Sequence, residues 1–174
     1  MLLKDKTMTL SMYAASTPAF RRMLGNLAAI LNKAAAHADA RKIDQGVLLN
    51  ARLFPDMLPL IKQVQIASDT AKGCIARLAG VDIPKFEDDE TSFADLQARI
   101  AKTIAFIDGV PPGQVDGSEG RDISLQIRDK KLELKGQDFM INRALPNFYF
   151  HIATAYNILR HNGIEIGKSD YLGT

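Results

Sequence analysis

Three histidines, one cysteine and a pair of tyrosines stand out in this sequence as side chains with chemistry beyond packing. His151 and His161 share the stretch "ALPNFYFHIATAYNILRHNG" with Tyr149 and Tyr156, while His37 lies far upstream. A neutral imidazole can serve as general base or metal ligand near neutral pH. A catalytic zinc ion needs three protein ligands, so the question is whether three imidazoles can meet. On one helix, the ten residues from His151 to His161 separate them by about 15 Å along the axis and about 80° in direction. His37 can approach His161 or the start of that helix, but not both, so at most two of the three meet.

Carboxylates can replace missing imidazoles in helical interiors, and the candidates are Asp56 and Asp69 on the helix that follows Pro55. The plainer reading of Asp56 is a charge in a first helical turn, where the helix dipole favours it. His151 shares a flank with Phe148, Ala155 and Ile158, which makes it either a buried histidine bonded to a neighbour such as Asn147, or a base lining a cleft. Tyr149 and Tyr156 fall on one face beside the apolar stripe, a spacing that suits core or interface as well as a binding wall. Gln63 flanks the apolar Val64 and would join a cleft opening there. Cys74 reads as a buried thiol, with Arg77 the one nearby cation that could lower its pKa. Neither G-x-S-x-G, H-E-x-x-H nor C-x-x-C occurs, and the Pro/Gly-rich "GVPPGQVDGSEG" lacks the lysine and following helix of a phosphate cradle. The candidate ligand-binding set is therefore His151, Tyr149, Tyr156, Asp56 and Gln63, with no metal site, no cofactor and no catalytic residue assigned.

The elements that must position these groups are mostly helices. Phe20, Leu24, Leu27, Leu31 and Ala34 recur at helical spacing between Ser11 and Asp39. The start is either Thr17-Pro18 or a point nearer Leu10 that leaves Pro18 within the first turns. A helical turn is expected at Val47 to Arg52. The second long helix, from Pro55 to Ala79, carries Met57, Ile61, Val64, Ser68, Ala71, Ile75 and Leu78 as an apolar stripe and ends at Gly80. A third starts at Ser92, which forms a capping box with Asp95, runs along Phe93, Leu96, Ile100, Ile104 and Ile107, and stops at Gly109. Alternation of Ile123, Leu125 and Ile127 with Leu132 and Leu134 predicts a β-hairpin at about 122–136. The fourth helix is the histidine-bearing stretch, with Pro146 in its first turn and Asn162-Gly163 as its stop. The chain reads as all-α, a single four-helix-bundle domain over 1–174 with one small hairpin and a C-terminal tail at 164–174.

With 174 residues, the chain can bury a core without metal or disulfide staples. Hydrophobic residues at 47%, charged residues at 24% and a mean hydropathy of −0.07 describe an ordinary globular composition with no membrane helix. A net charge of +2 is too small to imply a nucleic-acid partner. The opening "MLLKDKTMTL" lacks a leader's apolar core, and one cysteine suits a reducing compartment, so a cytoplasmic location is expected.

"ARLFPDMLPLIKQVQIASDTAK", "FYFHIATAYNILRHNG" and "IGKSDYLG" together resemble a bacterial family of unknown function within the DinB-like, or YfiT-like, superfamily, over nearly the whole chain. That resemblance implies an up-down-down-up bundle, frequently dimeric. It also implies relatives that bind a divalent metal through three histidines or catalyse thiol-dependent transfer. The superfamily's metal pattern takes one histidine from helix two and a pair three or four apart on helix four. Here helix two has none, and Thr154 and Ala155 stand where the second of the pair would be. The expected function is therefore small-ligand binding in an inter-helix cleft, without the three-histidine metal site. The alternatives are a homodimeric interaction module built on the hairpin and the helix-four aromatics, and a metal- or thiol-dependent transferase.

Overall fold

In the computed structural model, which describes residues 10–173, the first helix begins at a serine. Ser11 lies in extended backbone and its Oγ accepts the Ala14 N–H at 3.2 Å, a cap worth about 1 kcal/mol. Helix α1 (Met12–Arg41) continues through Pro18, so of the two expected starts the upstream one is observed. The opening segment read for a leader lies outside the described residues. A short α2 (Gln45–Leu49) follows, capped by the Asp44 carboxylate, slightly ahead of the turn expected at Val47 to Arg52.

Helix α3 (Leu60–Ala79) begins five residues later than expected from Pro55. The reason is a second proline. Pro59 disfavours helical backbone at Leu58 and itself takes the extended N-cap position. Asp56 thus belongs to a turn, exposed to solvent, rather than to a first helical turn. Gly80 ends α3 with a left-handed φ of 70°, its N–H returning to the Ala76 and Arg77 carbonyls. Helix α4 (Phe93–Asp108) opens on the expected capping box. The Asp95 N–H donates to Ser92 Oγ at 3.1 Å, and the Ser92 N–H to Asp95 Oδ2 at 2.9 Å.

After a single helical turn, α5 (Pro112–Val115), the expected hairpin forms from β1 (Asp122–Ile127) and β2 (Lys130–Lys135). The strands are antiparallel, with Ile123 opposite Leu134 and Leu125 opposite Leu132. Ile123 is buried, and Leu125 and Leu134 pack partly against the helical core, which supplies the apolar support a two-stranded hairpin needs. The fourth long element is more complex than a plain helix. Helix α6 (Gly136–Phe139) runs into one π-helical turn, Met140–Ala144, and then into α7 (Leu145–His161). The tail carries a further helix, α8 (Lys168–Leu172), preceded by buried Ile164 and Ile166.

The structure is mostly helical with one small hairpin. Helix α3 packs against α7 and α4, and α1 against α4, α7 and α8. Phe20, Leu24, Leu27, Leu31, Val64, Ala71, Ile75, Leu78, Leu96, Phe148, Ala155 and Leu159 are all fully buried, so the apolar stripes face one core. Phe20 and Phe148 meet edge-to-face with centroids 4.8 Å apart. Helix α8 is clasped to α1: Asn26 donates to the Tyr171 carbonyl at 2.9 Å, Arg22 to the Leu172 carbonyl at 2.9 Å, and Lys33 pairs with Asp170 at 2.6 Å. Among the described residues, no helix is long and apolar enough to cross a membrane.

Candidate functional site

Polar residues recur along the α3–α7 seam at matched intervals. On α3, Gln63, Thr70 and Arg77 are seven apart, which returns each to nearly the same direction after two turns. On the π turn and α7, Arg143, Asn147 and His151 are four apart. Two of the three facing pairs are bonded. His151 Nδ1 lies 2.7 Å from Gln63 Oε1, and Asn147 Nδ2 donates to Thr70 Oγ1 at 2.9 Å.

The first pair fixes the state of the imidazole. Gln63 Nε2 donates to the Leu58 carbonyl at 2.8 Å, and a carbonyl only accepts, so the amide oxygen must face the ring. Nδ1 therefore carries the hydrogen and Nε2 the lone pair. Burial pushes His151 below its ordinary pKa of 6.5, so the ring is neutral at pH 7. His151 is 8% exposed, and Nε2 bonds to no described residue yet is not among the polar atoms sealed from solvent. The Phe150 ring stands edge-on to it at 5.2 Å. The Nε2 lone pair is thus left without a donor among the described residues.

The five expected site residues do not converge. His151 and Gln63 meet, but Tyr149 and Tyr156 lie on the other flank of α7, toward α8. The Tyr156 ring is edge-on to Tyr171 at 6.0 Å, and Tyr149 lines a cavity of about 490 Å³ with Arg22, Met23 and Tyr171. Two residues along a helix turn by about 200°, which puts Tyr149 opposite His151. Asp56 is exposed in its turn and bonds to no described side chain. Among the described residues, no three His, Cys, Asp or Glu side chains are placed to share a metal ion. Cys74 is buried, and burial, only partly opposed by Arg77, pushes its thiol up to about 12.

Asp69 belongs to a cluster that no spacing in the sequence announces. The segment between α3 and α4 crosses both helices as an irregular strap, held by Arg99. The Arg99 guanidinium pairs with Asp69 at 2.8 Å, Asp88 at 3.1 Å and Glu90 at 2.8 Å, and donates to the Glu87 carbonyl at 3.0 Å. Lys72 shares Asp69 at 2.8 Å and sits over the Phe86 ring at 3.7 Å. The one signal in the chain is an arginine among the inward positions Leu96, Ile100 and Thr103. Apart from Asp69 on α3, its partners come from the strap, which has no periodicity to reveal where it lies.

With this geometry in view, residues 12–172 match the family described as "Domain of unknown function (DUF1993)", and the chain belongs to that family. It is also similar to the crystal structure of a DinB family member protein from Shewanella denitrificans, at 46% identity and a TM-score of 0.84, covering 93% of this chain and 92% of that one. The DinB-like resemblance is thus borne out. No curated protein matches the chain.

Proposed function

We propose that the protein binds a small molecule at the His151 end of the α3–α7 seam, on a bundle of up-down-down-up order. Three relationships support the order. Phe20 near the start of α1 meets Phe148 near the start of α7, so those helices run parallel. Arg21 pairs with Asp108 at 3.3 Å while Gln97 reaches the Ala28 carbonyl, so α4 runs against α1. Gln63 and Thr70 meet His151 and Asn147 in reverse sequence, so α3 runs against α7.

One observation carries the ligand reading: a neutral imidazole with a fixed tautomer whose free nitrogen reaches solvent. Such a nitrogen accepts a hydrogen bond from a ligand N–H or O–H. The divalent metal of the wider superfamily does not fit this donor set. Gln63 Oε1 already accepts from Nδ1, and among the described residues His151 belongs to no group of three His, Cys, Asp or Glu side chains placed to share an ion. The test is ¹⁵N-histidine NMR of the full chain titrated with a panel of small amides and alcohols. Binders should shift the His151 Nε2 resonance and leave those of His37 and His161 in place; a panel that leaves His151 Nε2 unmoved at millimolar concentration would sink the reading.

The alternative of a homodimeric interaction module is favoured by the exposed Phe150 and Leu58 beside the same histidine, at 56% and 44%. Sedimentation distinguishes the two, since a monomer at micromolar concentration removes the dimer.

A further inference from the structure

The third facing pair on the seam does not close. Arg77 and Arg143 line one cavity of about 210 Å³, bounded toward His151 by the Thr70–Asn147 pair. Like charges cannot bond each other. Among the described residues, neither guanidinium has a carboxylate within ion-pair distance, whereas Arg21 and Arg99 both do. Arg77 is half-buried, and its one side-chain hydrogen bond goes to the Gly73 carbonyl of its own helix at 3.0 Å. Asp69, the acidic residue on the rim, already accepts from Arg99 and Lys72. Arg143 is exposed, so the cost falls on half-buried Arg77, whose only further partner among the described residues is the Phe139 ring at 5.9 Å, and the two like charges repel across one cavity.

We infer that Arg77 and Arg143 form a binding site for a small organic carboxylate. A carboxylate matches the planar guanidinium fork and supplies the missing negative charge. The rest of the wall, Leu125 from the hairpin with Phe139 and Ala144, is apolar and would cover a short hydrocarbon body. Free phosphate suits it less, because its remaining oxygens would face these groups unpaired. Two local features serve the cavity. Arg143 lies in the π turn Met140–Ala144, a feature common at functional sites. Glycine at position 73 leaves room for Arg77 to fold back, since a Cβ there would lie 2.7 Å from its Nη1.

This site is separate from the one at His151: Gln63 and Arg77 are fourteen residues apart on α3, about 21 Å. Either can fail without the other. The test is calorimetric titration of the full chain at low ionic strength with acetate, propionate, benzoate and, separately, inorganic phosphate. Saturable 1:1 binding of propionate or benzoate is expected, weakened at least tenfold by Arg143→Ala and by Arg77→Gln. Arg160→Ala, which removes an exposed arginine elsewhere on α7, should leave affinity within twofold. The inference is overturned by any of three results: no saturable binding of the carboxylates, unchanged affinity in folded Arg143→Ala, or binding of phosphate in their place.

Discussion

Arg99 and Glu90 form an ion pair of 2.8 Å in which only 2% and 7% of the two side chains remain exposed. At that depth the two groups must be considered together. Removing one partner leaves a desolvated charge, which typically costs about 3–5 kcal/mol. Arg99→Met is therefore expected to lose that much in urea denaturation, and Arg99→Met combined with Glu90→Gln to recover part of it. Recovery of nothing would mean that Asp69 and Asp88 carry the dependence on Arg99.

The same strap gives an acid response. Partial burial raises the Asp88 carboxyl, but hydrogen bonds and charge from Lys62 and Arg99 outweigh it and hold the group below its usual 3.8. A depressed carboxylate contributes stability above its unfolded pKa and loses it as pH falls through the folded value. Asp88→Asn should flatten the stability curve below pH 4, as read by denaturant midpoints.

His151 gives a response in another window. Its folded pKa lies below the unfolded 6.5, so the unfolded chain binds the extra proton first and stability falls as pH drops below about 6.5. His151→Phe should abolish that slope. Gln63→Glu should reverse the shift, because a carboxylate within hydrogen-bond distance favours the charged ring. Denaturant midpoints from pH 4 to 8 would check the first, and the His151 ring shifts over the same range the second.

How far these elements can be read from the sequence depends on whether the signal is local. The capping box at Ser92, the stop at Gly80 and the hairpin each rest on residues a few positions apart, and each appears as expected. The apolar stripe of α3 extends upstream past the point where Pro59 forbids helix, so it places the start of that helix too early. The four-residue spacing of Arg143, Asn147 and His151 is visible in the sequence, but the π turn that carries Arg143 has no periodic signature. The pairing of His151 with Gln63 spans 88 positions, and no spacing rule links them. Chain proximity groups Tyr149 with the same wall, although a helix places residues two apart on opposite flanks.

Gly136 tests the joint between hairpin and helix. A Cβ at this buried position would run into the Ser118 carbonyl oxygen, which is backbone and cannot swing away. Gly136→Ala is expected to destabilise by about 1–3 kcal/mol through overpacking. Gly113→Ala, with nothing within 4 Å, should be near neutral. Equal thermal midpoints for the two variants would contradict the contact.

Cys74 is expected to resist aromatic disulfide reagents in the native state at pH 7 to 9, since burial keeps its thiol protonated with a pKa of about 12. Labelling should follow the rate at which the core opens and accelerate in urea. Stoichiometric modification within seconds in buffer would show a more open α3.

The clasp between α1 and α8 joins residues 137, 145 and 150 positions apart. Chain closure over such separations is slow and entropically unfavourable, and the polar bonds that reward it are largely solvent-facing. Amide exchange should therefore find α8 opening well before the helices beneath it, making the Tyr171 flank the first surface that thermal fluctuation uncovers.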